Sequence, residues 1–245
     1  MDAGIDYKWS VTARCVVAVV ALCGVVPAAV AQGYLGIEAG SQRGAFDSTV
    51  TITASSLALL VGWFADDYDI AASVPFLQLS DDLGTEESGL GDVVVRAGRS
   101  NLYRNTNGLT LDATASIKLP SADASKNLGS GETDIGGFIS LRKQWSSFAT
   151  TLGAGYLFVG DSADTDYRDV TLASVGVSKK LARGGVFTSL GIRSAVIASA
   201  DDPRELSVGG YYVVDAQYAL SGSAFAGLSD GSADYGINLG WLTRF

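Results

Sequence analysis

The chain has 245 residues, 26 acidic against 17 basic side chains, and a net charge of -9. That balance argues against nucleic acid as a partner. The chain has no histidine, which removes the imidazole base of serine–histidine hydrolysis and related mechanisms, and its two cysteines, Cys15 and Cys23, both lie near the N-terminus.

Lys8 and Arg14 precede an uncharged run over residues 16–30 that ends in Ala29-Val30-Ala31, with small residues at the positions a signal peptidase reads. Residues 1–31 therefore read as a secretory signal peptide cleaved after Ala31. The run falls short of the roughly 18 residues of a helical anchor, and Pro27 interrupts its end. Both cysteines belong to this signal, so residues 32–245 carry no thiol and need no disulfide in an oxidising compartment. No later apolar stretch has the length of a membrane-crossing helix.

From Tyr34 onward the chain alternates. Leu35, Ile37 and Ala39 oppose Gly36, Glu38 and Gly40. Ile70, Ala72, Val74 and Phe76 oppose Asp69, Ala71, Ser73 and Pro75. In the cleanest segment Leu109, Leu111, Ala113, Ala115, Ile117 and Leu119 oppose Thr110, Asp112, Thr114, Ser116 and Lys118. A tilted strand needs about 9–11 residues to cross a bilayer, whereas soluble strands run nearer 5–6. Alternation and turn residues predict about twelve such strands, at 34–42, 49–63, 67–78, 90–102, 108–119, 133–144, 147–159, 168–180, 184–197, 206–219, 222–229 and 233–245. In the second the apolar parity switches, which predicts a β-bulge near Ser55-Ser56.

The connections between these strands are long at 80–89, 120–132, 160–167 and 198–205. They are short at 65–66, 103–107, 145–146, 181–183 and 220–221. Except that the first and last outer connections, 44–48 and 230–232, are short, long and short ends alternate, as in an outer-membrane barrel with both termini in the periplasm. Trp63, Trp145 and Trp241 then fall at the periplasmic interface, where an aromatic girdle belongs, together with Phe245 at the end of the closing strand. The predicted fold is all-β: a single antiparallel transmembrane β-barrel of about twelve strands over residues 32–245, in the outer membrane of a Gram-negative bacterium.

By parity Glu38, Asp69, Asp92, Arg96, Asp112, Lys118, Asp134, Arg142, Arg193, Asp215 and Arg244 point inward. Such charges either line a polar pore or fill a narrow barrel as ion pairs, and sequence leaves both readings open. The outer loops are acidic, with Asp81, Asp82, Glu86 and Glu87 in one and Asp161, Asp164 and Asp166 in another. Solvated loop tips account for them, and Asp161, Asp164, Asp166 and Asp169 lack the spacing of a calcium loop. No aspartate spacing singles out a catalytic dyad, and Gly89-Leu90-Gly91-Asp92 does not precede a helix, so a phosphate cradle is unsupported. No catalytic residue, metal site or cofactor is expected.

Three motifs carry a family resemblance. Gly89-Leu90-Gly91-Asp92 opens a strand. Ile117-Lys118-Leu119-Pro120 ends another and is followed by Leu128-Gly129-Ser130-Gly131-Glu132-Thr133-Asp134. This order is similar to the "GLGD … KLP … LGTG-x-xD" pattern of the outer-membrane transporters associated with the meta-pathway of phenol degradation, over roughly residues 67–245. The resemblance implies a closed barrel carrying small, often aromatic or hydrophobic, solutes, in a family without agreed substrate-binding residues. Gly89 and Gly91 are expected to turn the chain into the wall, and Pro120 to end its strand, since it cannot donate to the ladder. Asp92, Lys118 and Asp134 are expected to form an inward charge cluster. The expected partners are outer-membrane lipid and lipopolysaccharide, the barrel-assembly machinery through the last strand, and a small-molecule solute. The expected function is a passive channel; the alternative is a non-conducting surface barrel acting through its acidic loops. A secreted soluble β-sandwich is a third reading. No loop reads as long enough for an obvious plug.

Overall fold

The structure, a computed structural model, describes residues 32–161 and 165–245. The predicted signal peptide lies outside the described residues. Thirteen strands follow in order: β1 (Gln32–Gly44), β2 (Ile52–Ala65), β3 (Tyr68–Asp81), β4 (Glu86–Leu90), β5 (Val93–Arg104), β6 (Leu109–Leu119), β7 (Asp134–Gln144), β8 (Ala149–Phe158), β9 (Val170–Leu181), β10 (Gly184–Arg193), β11 (Arg204–Val213), β12 (Tyr218–Gly227) and β13 (Tyr235–Arg244). Each pairs antiparallel with its neighbours, and β13 returns to β1 over ten residue pairs from Tyr34↔Arg244 to Arg43↔Tyr235. β4 and β5 lie one after the other along β3, so the wall is a closed barrel of twelve strands. Closure leaves no unpaired sheet edge, which is the condition for crossing a bilayer with strands.

Strict alternation sorts the two faces. Leu57 and Leu59 are more than half exposed on the outside, as are Ile139, Leu152 and Val208, while Gly36, Ala54, Ala58 and Gly62 are buried within. The turns at the end bearing both termini are short, at residues 66–67, 105–108, 145–148, 182–183 and 214–217. The longest connections at the other end are 120–133, 159–169 and 194–203.

The ladder is interrupted at two places. Between the pairs Ser73↔Val94 and Phe76↔Leu90, β3 advances three residues (76 - 73) while β4–β5 spends four (94 - 90). The extra residue makes a β-bulge, which re-aims the side chains around it. Pro75 sits opposite the bulge. Its carbonyl accepts the Gly91 N–H at 2.8 Å, and its missing N–H falls where the ladder is already broken. The second irregularity lies between Arg99 and Tyr103 of β5. There Asn101 takes a left-handed φ of 53° and donates its N–H to the Asp112 carboxylate at 2.7 Å.

Four expectations are corrected. The bulge predicted at Ser55-Ser56 does not form, because β2 keeps unbroken register with β1 and β3. The apolar parity switches there because Ile52 and Ala54 are buried inside the barrel, while Leu57, Leu59 and Trp63 face out. The turn predicted at 220–221 is the middle of β12, and the real turn lies at 214–217. Asp215 is in that turn, exposed, and so does not line the lumen: its carboxylate accepts the N–H groups of Gln217 and Tyr218 at 2.8 and 2.9 Å. This is local aspartate turn chemistry that the flanking alternation hid. The predicted loop at 80–89 is largely a hairpin, with a tight turn at 82–85 between β3 and β4.

Candidate functional site

The bulge at Gly91-Asp92 turns Asp92 into the barrel, where it is 2% exposed. Lys118 of β6 and Asp134 of β7 are direct cross-strand partners, also buried. The Lys118 ammonium lies 2.8 Å from the Asp134 carboxylate and 3.5 Å from that of Asp92. It also donates to the Ser130 hydroxyl. The second oxygen of each carboxylate is engaged as well. Asp92 accepts the Ala122 N–H at 3.1 Å and Asp134 accepts the Gly160 N–H at 3.1 Å. Hydrogen bonds from backbone amides and a shared cation offset the desolvation of two buried carboxylates.

These contacts hold the connection at 120–133 against the inner side of the wall. Pro120 ends β6, and a short 3-10 turn, Ala124–Lys126, follows. Its cap, Asp123, accepts the Ser125 hydroxyl and N–H, which hold this exposed carboxyl below the usual carboxylate range. The chain then folds back, so that Leu128 is 1% exposed and Gly129 and Ser130 are buried. A Cβ on Gly129 would lie 2.6 Å from both Asp92 carboxylate oxygens and 2.6 Å from the Ala122 Cβ. Glycine is the residue that lets the loop approach this closely. Gly131 sits at φ 75°, a left-handed conformation. The motif residues Gly89, Gly91, Asp92, Lys118, Pro120, Gly129, Gly131 and Asp134 thus gather at one end of β3–β7. Sequence reasoning missed the inward folding of this loop. Leu128, the apolar residue in a polar connection, was the available signal.

Elsewhere on the inner face, Asp69 and Arg96 form an ion pair at 3.6 Å. Arg193 of β10 is diagonal to Glu205 of β11, which pairs with Gly191; the predicted strand boundary at 206 had excluded Glu205. Asp112 is held by the Asn101 N–H. Glu38 lies between Ala58 and Gly240. Arg142 reaches the Thr110 hydroxyl at 3.5 Å. The opposite side of the lumen is aromatic. Phe138, Phe187, Tyr211 and Phe225 each lie over a glycine of a neighbouring strand, so close that a Cβ on Gly153, Gly209, Gly185 or Gly236 would sit 2.3–2.8 Å from the ring. Apart from Glu38 on β1, Arg244 at the end of β13, and Arg193 and Glu205 on β10 and β11, these charged side chains line β3–β7, and the four rings line β7–β12.

On the outside, Trp63, Trp145, Trp241 and Phe245 are exposed at the end carrying the termini. Tyr218 packs on Trp241 at 5.4 Å and Phe148 on Trp145 at 5.9 Å. Three cations cover rings at that end: Arg99 over Tyr68 at 5.0 Å, Lys143 over Trp145 at 5.5 Å and Arg183 over Tyr212 at 5.3 Å. Amphipathic rings with cations beside them suit a membrane–water interface. At the other end Asp47, Asp201 and Asp230, all exposed, bring carboxylate oxygens within 4.8 Å of one another, and Asp201 donates its N–H to Asp47 at 2.9 Å. Asp169 spends its oxygens on Tyr156 and the Val159 N–H, and Asp164 lies outside the described residues.

Residues 28–240 match the family described as "Putative MetA-pathway of phenol degradation". The chain belongs to that family. No curated protein matches the sequence. Among solved structures it is similar to the COG4313 outer membrane channel from Pseudomonas putida F1, at a TM-score of 0.73 and 16% identity over 90% of this chain and 97% of that one. It is also similar to the β domain of the Bordetella autotransporter BrkA, at 0.56 and 16% identity over 86% and 98%. The KdgM porin, in complex with oligogalacturonate, gives 0.52 and 11% identity over 88% and 99%. At these identities the likeness speaks for the fold, and one barrel fold serves several jobs. The closed all-β barrel is the fold of the outer-membrane channel it is similar to, and both termini lie at the end with the short turns.

Proposed function

We propose that the barrel is a passive channel for small solutes. The observation that carries this reading is the inner face: a closed twelve-strand wall whose interior is lined with charged, hydroxyl and glycine residues rather than with a packed apolar core. The similar Pseudomonas putida barrel is described as a channel, which supports the same use here. The aromatic half of the lumen offers flat apolar surface, so small aromatic or hydrophobic solutes are the class it favours, in keeping with the family's description. Histidine-dependent catalysis has no base to draw on. The apolar outer band and aromatic girdle would meet outer-membrane phospholipid and lipopolysaccharide. The closing strand β13 would be read by the assembly machinery.

The test is conductance of the purified, refolded barrel in planar bilayers. Discrete steps are expected. A barrel shown to be folded by heat-modifiable migration that gives no steps would overturn the channel reading and favour a non-conducting surface role.

A further inference from the structure

Most of the inward charges are neutralised locally. Lys118 serves Asp92 and Asp134. Arg96 serves Asp69. Glu205 is diagonal to Arg193. Asp112 is capped by a backbone N–H. Arg244 lies on the last strand residue, at the mouth that carries the termini. Of the inward charges at least two residues from a strand end, two have neither an ion pair nor a backbone hydrogen bond among the described residues: Glu38 and Arg142.

Their surroundings differ from those of the paired charges. Glu38 is midway along β1 and is flanked on its own inner face by Gly36 and Gly40, and across the strands by Ala58 and Gly240. None of these neighbours offers a cation or a donor side chain. Arg142 stands on β7 two residues from the end that carries the termini, between Thr110 and Thr151. Counting β4 and β5 as one, β1 and β7 are five strands apart around a ring of twelve, so the two side chains enter from nearly opposite walls.

From Glu38 the wall is open towards β11. Glu38 pairs with Gly240, Gly240 with Ser221, and Ser221 with Tyr211. No side chain larger than serine intervenes, which leaves a smooth strip of wall from the carboxylate to the Tyr211 ring. Arg142 stands on β7, four strands beyond Tyr211, with the backbone-capped Asp112 diagonal to it on β6.

We infer that Glu38 and Arg142 are the residues that set the channel's charge preference, each attracting ions of opposite sign. This rests on the channel reading above. A fixed unit charge in a water-filled lumen is screened, yet it still changes local ion concentration about two- to fivefold. Because the two act in opposite senses, the intact channel is expected to be weakly selective. The experiment is the cation-to-anion permeability ratio, from reversal potentials across planar bilayers in a KCl gradient. Glu38→Gln should lower the ratio by about twofold or more, and Arg142→Gln should raise it by a similar factor. Arg142→Lys should keep the parent value, and the double variant should return towards it. If Glu38→Gln does not assemble, Glu38→Ala takes its place, because alanine fits among neighbours that are already small. Conducting channels whose ratio is unmoved by either substitution would overturn the assignment. Absence of conductance from the parent barrel would instead overturn the channel reading itself.

Discussion

Lys118 is the most consequential single residue on the inner face. It is 7% exposed and shared by two carboxylates that are themselves buried. Removing it leaves Asp92 and Asp134 facing each other without a cation. Breaking a buried charge cluster by taking out one partner costs about 3–5 kcal/mol. We therefore expect Lys118→Met to lower barrel stability by that amount, read as a shift in the urea midpoint of folding in lipid vesicles. Asp92→Asn should cost less, because the closer pair with Asp134 survives. An unchanged midpoint for Lys118→Met would mean that the cluster contributes nothing to the fold. The trio itself was legible in the sequence, since parity placed all three side chains inward and the motif order brought their strands together. Ser130 was not, because a hydroxyl in a glycine-rich loop carries no periodicity. Glu205 was lost through a boundary drawn one residue late.

At the level of elements, long strands with clean alternation were legible and their punctuation was not. Turn signals misled where small residues fill a strand: the Leu220-Ser221-Gly222-Ser223 run reads as a turn but lies inside β12, opposite Tyr211 and Gly240. Asp215 was assigned to the lumen for the complementary reason, since apolar parity continues through a four-residue turn. The bulge at Gly91-Asp92 could not be read from periodicity, because it shows as a missing residue on β3 rather than as a pattern on β4 and β5. Its consequence is the inward loop at 120–133, whose buried middle lies over Asp92. Gly129 permits that approach. Gly129→Val should force the loop off the wall, since even a Cβ would meet the Asp92 carboxylate and Ala122 at 2.6 Å. The wall's own ladder is untouched by this change. The expected result is new cleavage within residues 120–133 by protease added to intact cells, with little change in barrel melting. A variant as resistant as the parent would mean that the loop is held by contacts other than these.

For the whole molecule, lipid outside and water inside impose one alternation on every strand, which is why the class of fold could be read from sequence. The pairing of inward charges could not, because it depends on register accumulated around the ring. The same ring has one closure, where the chain's two ends meet. Gly33 and Phe245 exchange backbone hydrogen bonds in both directions at 3.0 Å, and the Phe245 ring lies over Gly33. The ring points outward and is 70% exposed, at the end with Trp63 and Trp241. Deleting Phe245 removes both bonds, each contributing about 0.5–1.5 kcal/mol net, and takes an interfacial anchor from the last element to close. The ten β1–β13 pairs above it remain. Most of the closed state's stability is thus retained, while the step that closes the ring loses its first contact from that end. We expect the truncated chain to reach the membrane in smaller amounts, seen as a reduced heat-modifiable fraction in purified outer membranes. The barrels that do form should conduct like the full-length chain, because Phe245 does not face the lumen. Normal yield with altered conductance would reverse this assignment and make Phe245 part of the pore.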